Sequence, residues 1–451
     1  MKVGIYTLGC KVNTYESEFI ISLFKNRGYE ICDFDDECDI YIINTCTVTN
    51  NSDRKDRKII NSVKNKDACI VVCGCFVESA KDYDFTGIDV VIGNYNKSNI
   101  VDYVEEHLKT GKQIIAKDNI MTVPFEDMEI NHFESRTRAF VKIQDGCENY
   151  CAYCIIPFVR GRCRSKDKDS VIREITTLVN NGYKEIVLTG IHTGSYGIDL
   201  GIKFSDLIEE ILAIPGLERL RISSIEITEL DDKFFKLLEN KKLCNHLHVP
   251  LQSGSSNVLK LMNRKYTKEE YKRQIDRIRK VRPDISITTD VIVGFPNETD
   301  DDFEECLEFC KEIDFAKIHV FPYSKRNGTK AARMGGHVDG ITKKERAKRL
   351  LKLSEWLESK YYEKNIGKNE QILVETYKDD YYYGHTSNYL YLKLKGDFKE
   401  NEVYNINISK DMFTDNSKVV VWKFTKIVKC DIILLDREAM LWIIEILGMM
   451  N

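Results

Sequence analysis

No stretch of this 451-residue chain has the run of about 18 apolar residues that a membrane span needs. The nearest approach, MLWIIEILGMM close to the end, is short and is interrupted by Glu445. The start, MKVGIYTLGCKVN, has only a brief apolar run before Lys11, and its alternation suits a buried strand better than an export signal. A strong excess of one charge is missing as well. Lys and Arg number 67 and Asp and Glu 71, a net charge of −4, so any nucleic-acid contact must come from local basic stretches. With neither span nor signal the expected location is the cytoplasm, where thiols stay reduced. The 15 cysteines are then candidates for metal binding, catalysis or packing, and a disulfide scaffold is excluded.

The apolar fraction of 43% and charged fraction of 31% are those of a soluble globular protein, and the length allows two to four domains with separate cores. Residues 1–115 alternate short apolar strands (KVGIYTLG, DIYIINT, ACIVVCG, DVVIG) with helical stretches. That rhythm predicts a parallel sheet covered on both faces. Residues 116–135 lose it and read as a linker. It restarts in 136–366 as six strand–helix units, beginning AFVKIQDG, EIVLTG, RLRISSI, HLHVPLQ, ISITTDVIVG and FAKIHVFPYS. Six units are too few for a closed eight-unit barrel, so a partial (βα)6 barrel is expected, with chemistry at the C-terminal strand ends. Residues 367–430 are strand after strand with turns between and predict a small five-stranded β-barrel. The tail 431–451 reads as helical, with no functional assignment. The fold class is α/β throughout the first two domains.

CENYCAYC places Cys147, Cys151 and Cys154 just past the first barrel strand. A structural zinc site closes with four ligands, and this loop holds three thiols and no histidine. Clustered thiolates also suit an iron–sulfur cluster, and three on a four-iron cube leave one iron open. Three buried small hydrophobes is the plain alternative. A second trio comes from separate strand ends: Cys10 in TLGCKVN, Cys46 in NTCTVT and Cys75 in CGCF. The C-terminal ends of an open parallel sheet form one crevice, so these three are expected to converge as a second metal centre. Cys69 and Cys73 read as core. Cys306 and Cys310, at i and i+4 on a helix, read as packing. Cys32, Cys38, Cys163, Cys244 and Cys430 have no partner spacing.

The loop QDGCENYCAYCIIPFVRGRCRS, with Tyr153 before the third cysteine, resembles the radical S-adenosylmethionine (radical SAM) superfamily. There the open iron chelates SAM, whose reductive cleavage gives methionine and a 5′-deoxyadenosyl radical. Together with TLGCKVNTYESE, NTCTVTN, VLTGIHTGSYG, HLHVPLQSGS, LMNRKYT, TTDVIVGFP and GHTSNYLYLKL, it resembles the methylthiotransferase family along nearly the whole chain. In that family the terminal module is an RNA-binding TRAM domain. The resemblance implies two 4Fe–4S clusters, held by Cys147, Cys151 and Cys154 and by Cys10, Cys46 and Cys75, and SAM as both methyl donor and radical source. It also implies a sulfur source and an electron donor of flavodoxin or ferredoxin type. LGCKVN with TGIHTGSYG is most like the branch that acts on N6-threonylcarbamoyladenosine beside the tRNA anticodon. The isopentenyladenosine and ribosomal-protein branches differ just after the first cysteine. Asn297 in FPNET departs from the family's usual glycine and puts that turn in question.

Candidate SAM contacts at the barrel strand ends are Tyr153, Thr189, Gly190, Ser224, Glu226 and Gln252, each of which could equally be a cap or turn residue. His192, His246 and His248 serve either a ligand or their own loops. For RNA, the stretch 258–282 carries ten Lys/Arg against three Asp/Glu, and 326–372 carries twelve against six. Arg160, Arg162 and Arg164 flank the cysteine loop, and the segment YKDDYYYGHTSNYLYLKL offers stacking groups. A tRNA anticodon arm is thus the expected partner of a transferase. An RNA-binding iron–sulfur sensor without turnover is the alternative from another class.

Overall fold

The computed structural model describes residues 1–80, 82–133, 137–414 and 428–430. The first strands, Lys2–Thr7 (β1), Glu30–Cys32 (β2), Ile40–Thr45 (β3), Cys69–Gly74 (β4), Val90–Ile92 (β5) and Ile114–Ala116 (β6), form one parallel sheet. The order runs β1-β3-β4-β5-β6, with β2 and Val428–Cys430 beside the two halves of β1. β3 and β4 are buried along their full length, because helices cover both faces. Lys11–Asn26 (α1) and Ile100–Thr110 (α4) cover one side, and Asn50–Val63 (α2) and the short Cys75–Ser79 (α3) the other. Cys69 and Cys73 are core residues, as expected. The sulfurs of Cys32 and Cys38, which have no sequence signature, lie 2.8 Å apart in the other half-core.

The second domain has Arg138–Asp145 (β7), Arg164–Ser165 (β8), Glu185–Gly190 (β9), Arg219–Ile222 (β10), His246–His248 (β11), Ser286–Val293 (β12) and Lys317–Pro322 (β13). The long strands pair in parallel as β7-β9-β10, a bridge from Leu220 to Leu243 leads on to β11, and β11-β12-β13 completes the curve. The short β8 runs antiparallel along β7. Among the described residues no ladder joins β13 back to β7 or β8, so the barrel is partial. Its helices pack outside, from Lys168–Asn180 to the long Gly340–Asn365. In-register alternation puts Arg138, Glu185 and Arg219 abreast at the strand starts, and Asp290 beside His319 higher up.

Among the described residues, the expected linker carries no helix or strand between β6 and β7 but is packed in place. Met128, Ile130 and Phe133 are buried in the barrel's main core, and the Met128 carbonyl accepts from Tyr15 Oη and Lys166 Nζ, both at 2.5 Å.

The third module is an antiparallel sheet of Asn369–Lys378 (β14), Tyr381–Thr386 (β15), Tyr391–Leu394 (β16) and Val403–Asn407 (β17), ordered β16-β15-β14-β17. Four strands of the expected five-stranded barrel are thus seen; residues 415–427 of that span and the tail 431–451 lie outside the described residues. The β15–β16 turn docks on the starts of the barrel strands: Arg219 donates to His385 O, and Arg221 to Thr386 O and Ser387 O. Tyr389 stacks on His246 with centroids 4.4 Å apart. Part of the tyrosine-rich segment therefore works inside the protein, whereas Tyr377 is exposed. At Asn297 the backbone is left-handed, φ +65°, a conformation asparagine tolerates, so the turn survives the departure from glycine.

Candidate functional site

Cys10, Cys46 and Cys75 do converge at the C-terminal ends of β1, β3 and β4. Gly9 stands between the first two. Its φ of +109° suits glycine, and a Cβ there would lie 2.8 Å from Cys46 Cβ and 3.0 Å from its sulfur. Cys10 begins α1, where the helix N-terminus favours negative charge. Cys75 Sγ faces two donors, Arg160 Nε at 3.3 Å and Asn94 Nδ2 at 3.4 Å. Arg160 Nη2 reaches Asn13 Oδ1 at 2.8 Å, and the Cys10 thiol lies 3.7 Å from that oxygen. One buried guanidinium thus touches Cys75 directly and reaches Cys10 through Asn13.

Arg160 ends the short helix Ile156–Arg160 (α5), which follows Cys154 directly. Cys75 packs against Ile155 and Val159 of this segment. A single five-residue helix therefore connects the two cysteine trios. Around it lies a sealed ionic core in which Glu16 takes Arg160 at 2.8 Å, Lys97 at 2.8 Å and Lys142 at 2.9 Å. Asp145 takes Lys142 at 2.7 Å and Arg160 at 3.1 Å. Burial alone would raise the Glu16 carboxyl, but Arg160, Lys142 and Lys97 together hold it well below the usual range. Arg160 is 0% exposed and Arg164 is buried, donating to the Ile120 and Arg160 carbonyls. The expectation that they serve RNA is overturned, because both guanidiniums are spent on the domain interface. Only Arg162 of that group is exposed.

In the loop of Cys147, Cys151 and Cys154, the turn is set by Gly146. At φ +73° its missing Cβ would otherwise meet Arg162 O at 1.8 Å. Gln144 donates to the Gly146 carbonyl and to Cys163 Sγ, and accepts from His192 N, so the loop is fixed from below. Arg264 Nη1 points at Cys151 Sγ from 3.3 Å while Nη2 pairs with Glu226 at 2.8 Å. Asn149 donates to Glu226, and His192 pairs with Glu229 at 2.6 Å. In neither trio do all three sulfurs lie within 4.8 Å of one another. A single tetrahedral zinc, with Zn–S near 2.3 Å, holds its sulfurs about 4 Å apart. These wider trios, each with an arginine N–H aimed at a sulfur, fit the larger, negatively charged thiolate-bound iron–sulfur cubes.

The SAM candidates separate. Glu226, Ser224 and Gly190 are partly exposed near the loop, and Tyr153 packs edge-on to Phe295 beside it. Thr189 is 1% exposed, so its side chain is sealed in the barrel wall. Gln252 lies past the end of β11, in a left-handed turn at φ +68°, its amide donating to Asp290 O. His248 pairs with Asp290 at 3.2 Å and lies beside His319 inside the barrel. Arg264, Gln144, Asn149 and Glu229 were missed by sequence reading, since no spacing relates them to the cysteines. The basic stretch 258–282 is also largely spoken for: Arg264 as above, Lys272 with Asp276, Arg277 with Asp232, and Arg279 and Arg282 on backbone carbonyls.

Residues 141–310 match the family described as the Radical SAM superfamily, and residues 2–93 match uncharacterized protein family UPF0004. The chain is 44% identical over 407 residues to the threonylcarbamoyladenosine tRNA methylthiotransferase MtaB of Bacillus subtilis, covering 87% of this chain and 90% of that one. The chain belongs to the radical SAM methylthiotransferase family. It is 39% identical to the MtaB of Thermotoga maritima, over 85% of this chain and 90% of that one. It is 37% identical to the tRNA-2-methylthio-N(6)-dimethylallyladenosine synthase of Clostridium tetani, over 82% and 84%. Among solved structures, the radical S-adenosylmethionine methyltransferase TsrM of Kitasatospora setae shares the fold. The TM-score is 0.51 at 14% identity, over 71% of this chain and 74% of that one. As a radical SAM methylthiotransferase the protein is a transferase that uses SAM and two 4Fe–4S clusters. No helix among the described residues is long and apolar enough to cross a membrane.

Proposed function

We propose that the protein methylthiolates C2 of N6-threonylcarbamoyladenosine at position 37 of tRNA, next to the anticodon, in the cytoplasm. The observation that carries this is the 44% identity with the B. subtilis enzyme of that name across 87% of the chain, against 37% for the C. tetani dimethylallyladenosine enzyme. Cys147, Cys151 and Cys154 hold the cluster that binds SAM, and Cys10, Cys46 and Cys75 hold the second. Bound there, SAM and the clusters supply radical and sulfur chemistry that acid–base groups cannot, because an aromatic C–H is not acidic. A flavodoxin- or ferredoxin-type protein provides electrons, and a separate source provides sulfur.

The chain's own residues place and shield these parts. Gln144 and Gly146 set the loop, and Arg264 and Arg160 each aim an N–H at a cysteine sulfur, stabilising its thiolate form. Glu226, oriented by Arg264 and Asn149, is the acidic contact for SAM, with Tyr153, Gly190, Ser224 and Gln252 around it. Thr189 contributes only through the wall. α5 links the two centres, and the terminal sheet docks on the starts of the barrel strands with the exposed Tyr377 left for RNA. Nucleoside mass spectrometry of a deletion strain tests the reading: 2-methylthio-N6-threonylcarbamoyladenosine should vanish. Its persistence, with no second enzyme present, refutes the substrate. An RNA-binding sensor would cleave no SAM after reduction, whereas this protein should release 5′-deoxyadenosine.

A further inference from the structure

Lys11 directly follows Cys10, yet among the described residues its ammonium meets no carboxylate and no hydrogen-bond acceptor. The neighbouring cations are all committed. Arg138 pairs with Glu375 at 3.4 Å, and Arg219 and Arg221 share Glu185 at 2.7 Å each. The charges that act on Lys11 are those of Tyr389, Arg138, Arg221 and Glu185, and Lys11 in turn acts on His246. Arg138, Glu185, Arg221 and His246 lie on four barrel strands, and α1, which Lys11 begins, packs against β7 and β9, so Lys11 stands where the first domain meets the barrel. Four cations face two carboxylates there, and both carboxylates are already spent.

Tyr389 offers a second unused donor. Its ring is clamped between His246, stacked at 4.4 Å, and the Arg221 guanidinium, 4.9 Å from its centroid. Its backbone is left-handed at φ +70°. The hydroxyl has no protein acceptor among the described residues, and both Lys11 and Tyr389 are partly exposed although the strands around them are sealed. A cluster of side chains with surplus positive charge and two free donors is complementary to a carboxylate. The threonylcarbamoyl group carries a carboxylate, and the isopentenyl group is apolar.

We propose that Lys11, with the Tyr389 hydroxyl, binds the threonyl carboxylate of the modified adenosine and so selects it over the isopentenyl form. The inference rests on the substrate reading above. C2 and the N6-bearing C6 both flank N1 of the modified base, and residues 10 and 11 put a cluster thiolate and a carboxylate receptor on adjacent positions of the chain. The isopentenyl group would leave the ammonium desolvated and unpaired, which discriminates against it.

The test uses the full-length protein with both clusters reconstituted. Three anticodon stem-loop RNAs are compared, bearing N6-threonylcarbamoyladenosine, its carboxyl methyl ester, or N6-isopentenyladenosine. The wild type should bind and turn over the acid on the order of 10- to 100-fold better than the ester, the size of a charge-assisted contact. Lys11→Met should lose that preference by weakening the acid alone, Lys11→Arg should restore much of it, and Tyr389→Phe should cost the acid about 10-fold. Iron content and the visible spectrum show that each variant is folded and loaded. If the wild type does not distinguish acid from ester, or if Lys11→Met still does, the carboxylate is not read by Lys11. Either result leaves the substrate assignment standing. Wild-type turnover of only the isopentenyl RNA would instead overturn the substrate assignment itself.

Discussion

Replacing Arg160 by methionine tests whether the two centres share one ionic keystone. The guanidinium is 0% exposed and contacts Glu16, Asp145, Asn13 and Cys75 at 2.8–3.3 Å. Removing one partner of a buried ion pair costs about 3–5 kcal/mol, because the other charge is left stranded. Here it is not wholly stranded. Glu16 keeps Lys97 and Lys142, and Asp145 keeps Lys142 at 2.7 Å. The two carboxylates then face two lysines, so the loss belongs at the low end, about 3 kcal/mol. Cys75 keeps Asn94 at 3.4 Å, and what has no substitute is the contact to Asn13, which ties the second domain to the residue beside Cys10.

Amide exchange reads this directly. In Arg160→Met the amides of residues 10–16, 75–79 and 156–164 should open roughly 100-fold faster, the equivalent of about 3 kcal/mol, while the terminal sheet is unaffected. Iron should fall from about eight toward about four as the first-domain cluster loses its buried cation. Arg160→Lys, keeping the charge but not the fork, should fall between. Wild-type exchange and full iron in the methionine variant would show that Arg160 merely fills space and that α5 does not couple the two centres.

Three further outcomes follow from the same geometry. Cys147→Ala should abolish 5′-deoxyadenosine release, whereas Cys46→Ala should keep it and lose methylthiolated product; equal loss in both variants would mean the trios are not functionally distinct. Gly9→Ala adds a Cβ 2.8 Å from Cys46 Cβ on a left-handed backbone, at a cost of about 1–3 kcal/mol. It should halve the iron while sparing SAM cleavage, and full iron would show that the Gly9 turn can shift. Burial alone would raise the Glu375 carboxyl, but Arg138 and His385 bring it down to about 2 from an ordinary 4.5. A depressed carboxylate stabilises above its unfolded value, so docking of the terminal sheet should be intact at pH 5 and weaken as pH falls from about 4.5 toward 2. Limited proteolysis across that range follows it, and Glu375→Gln should be loosened already at pH 5; identical profiles for both proteins would refute the assignment.

Much of the fold was legible because its signals are local. β3 and β4 are apolar at nearly every position, which a doubly covered parallel strand demands, and each cysteine of the first trio stands at a strand end. Spacing set the cysteine loop apart, and resemblance to the radical SAM motif gave it an expected role. What could not be read depends on long-range pairing. Arg160 and Arg164 look like surface cations beside a functional loop. Their burial is decided by Glu16, 144 residues away from Arg160, and by the Ile120 carbonyl. Arg264, from the turn between helices Ser256–Leu261 and Lys268–Val281, and Glu226, from the loop after β10, meet at Cys151 with no periodicity to announce them. The segment 116–135 has a linker's composition, yet Met128 and Phe133 are anchored by the barrel core.

The same long-range pairing gives the domain order a physical reason. A chain that inserts sulfur must hold a radical source and a sulfur site at fixed separation, because a displacement of about 1 Å can cost about 100-fold in rate. Independent domains joined by a loose linker could not guarantee that. Here the helix that leaves Cys154 carries Arg160 into the first domain, Glu16 and Lys142 close the charge from both sides, and the segment before β7 is packed against the barrel. The third module adds the opposite restraint, with Arg219 and Arg221 donating to backbone carbonyls of its β15–β16 turn. On the proposal for Lys11 and Tyr389, substrate specificity is set by residues from the first and third domains, with Arg221 of the second holding Tyr389 in place.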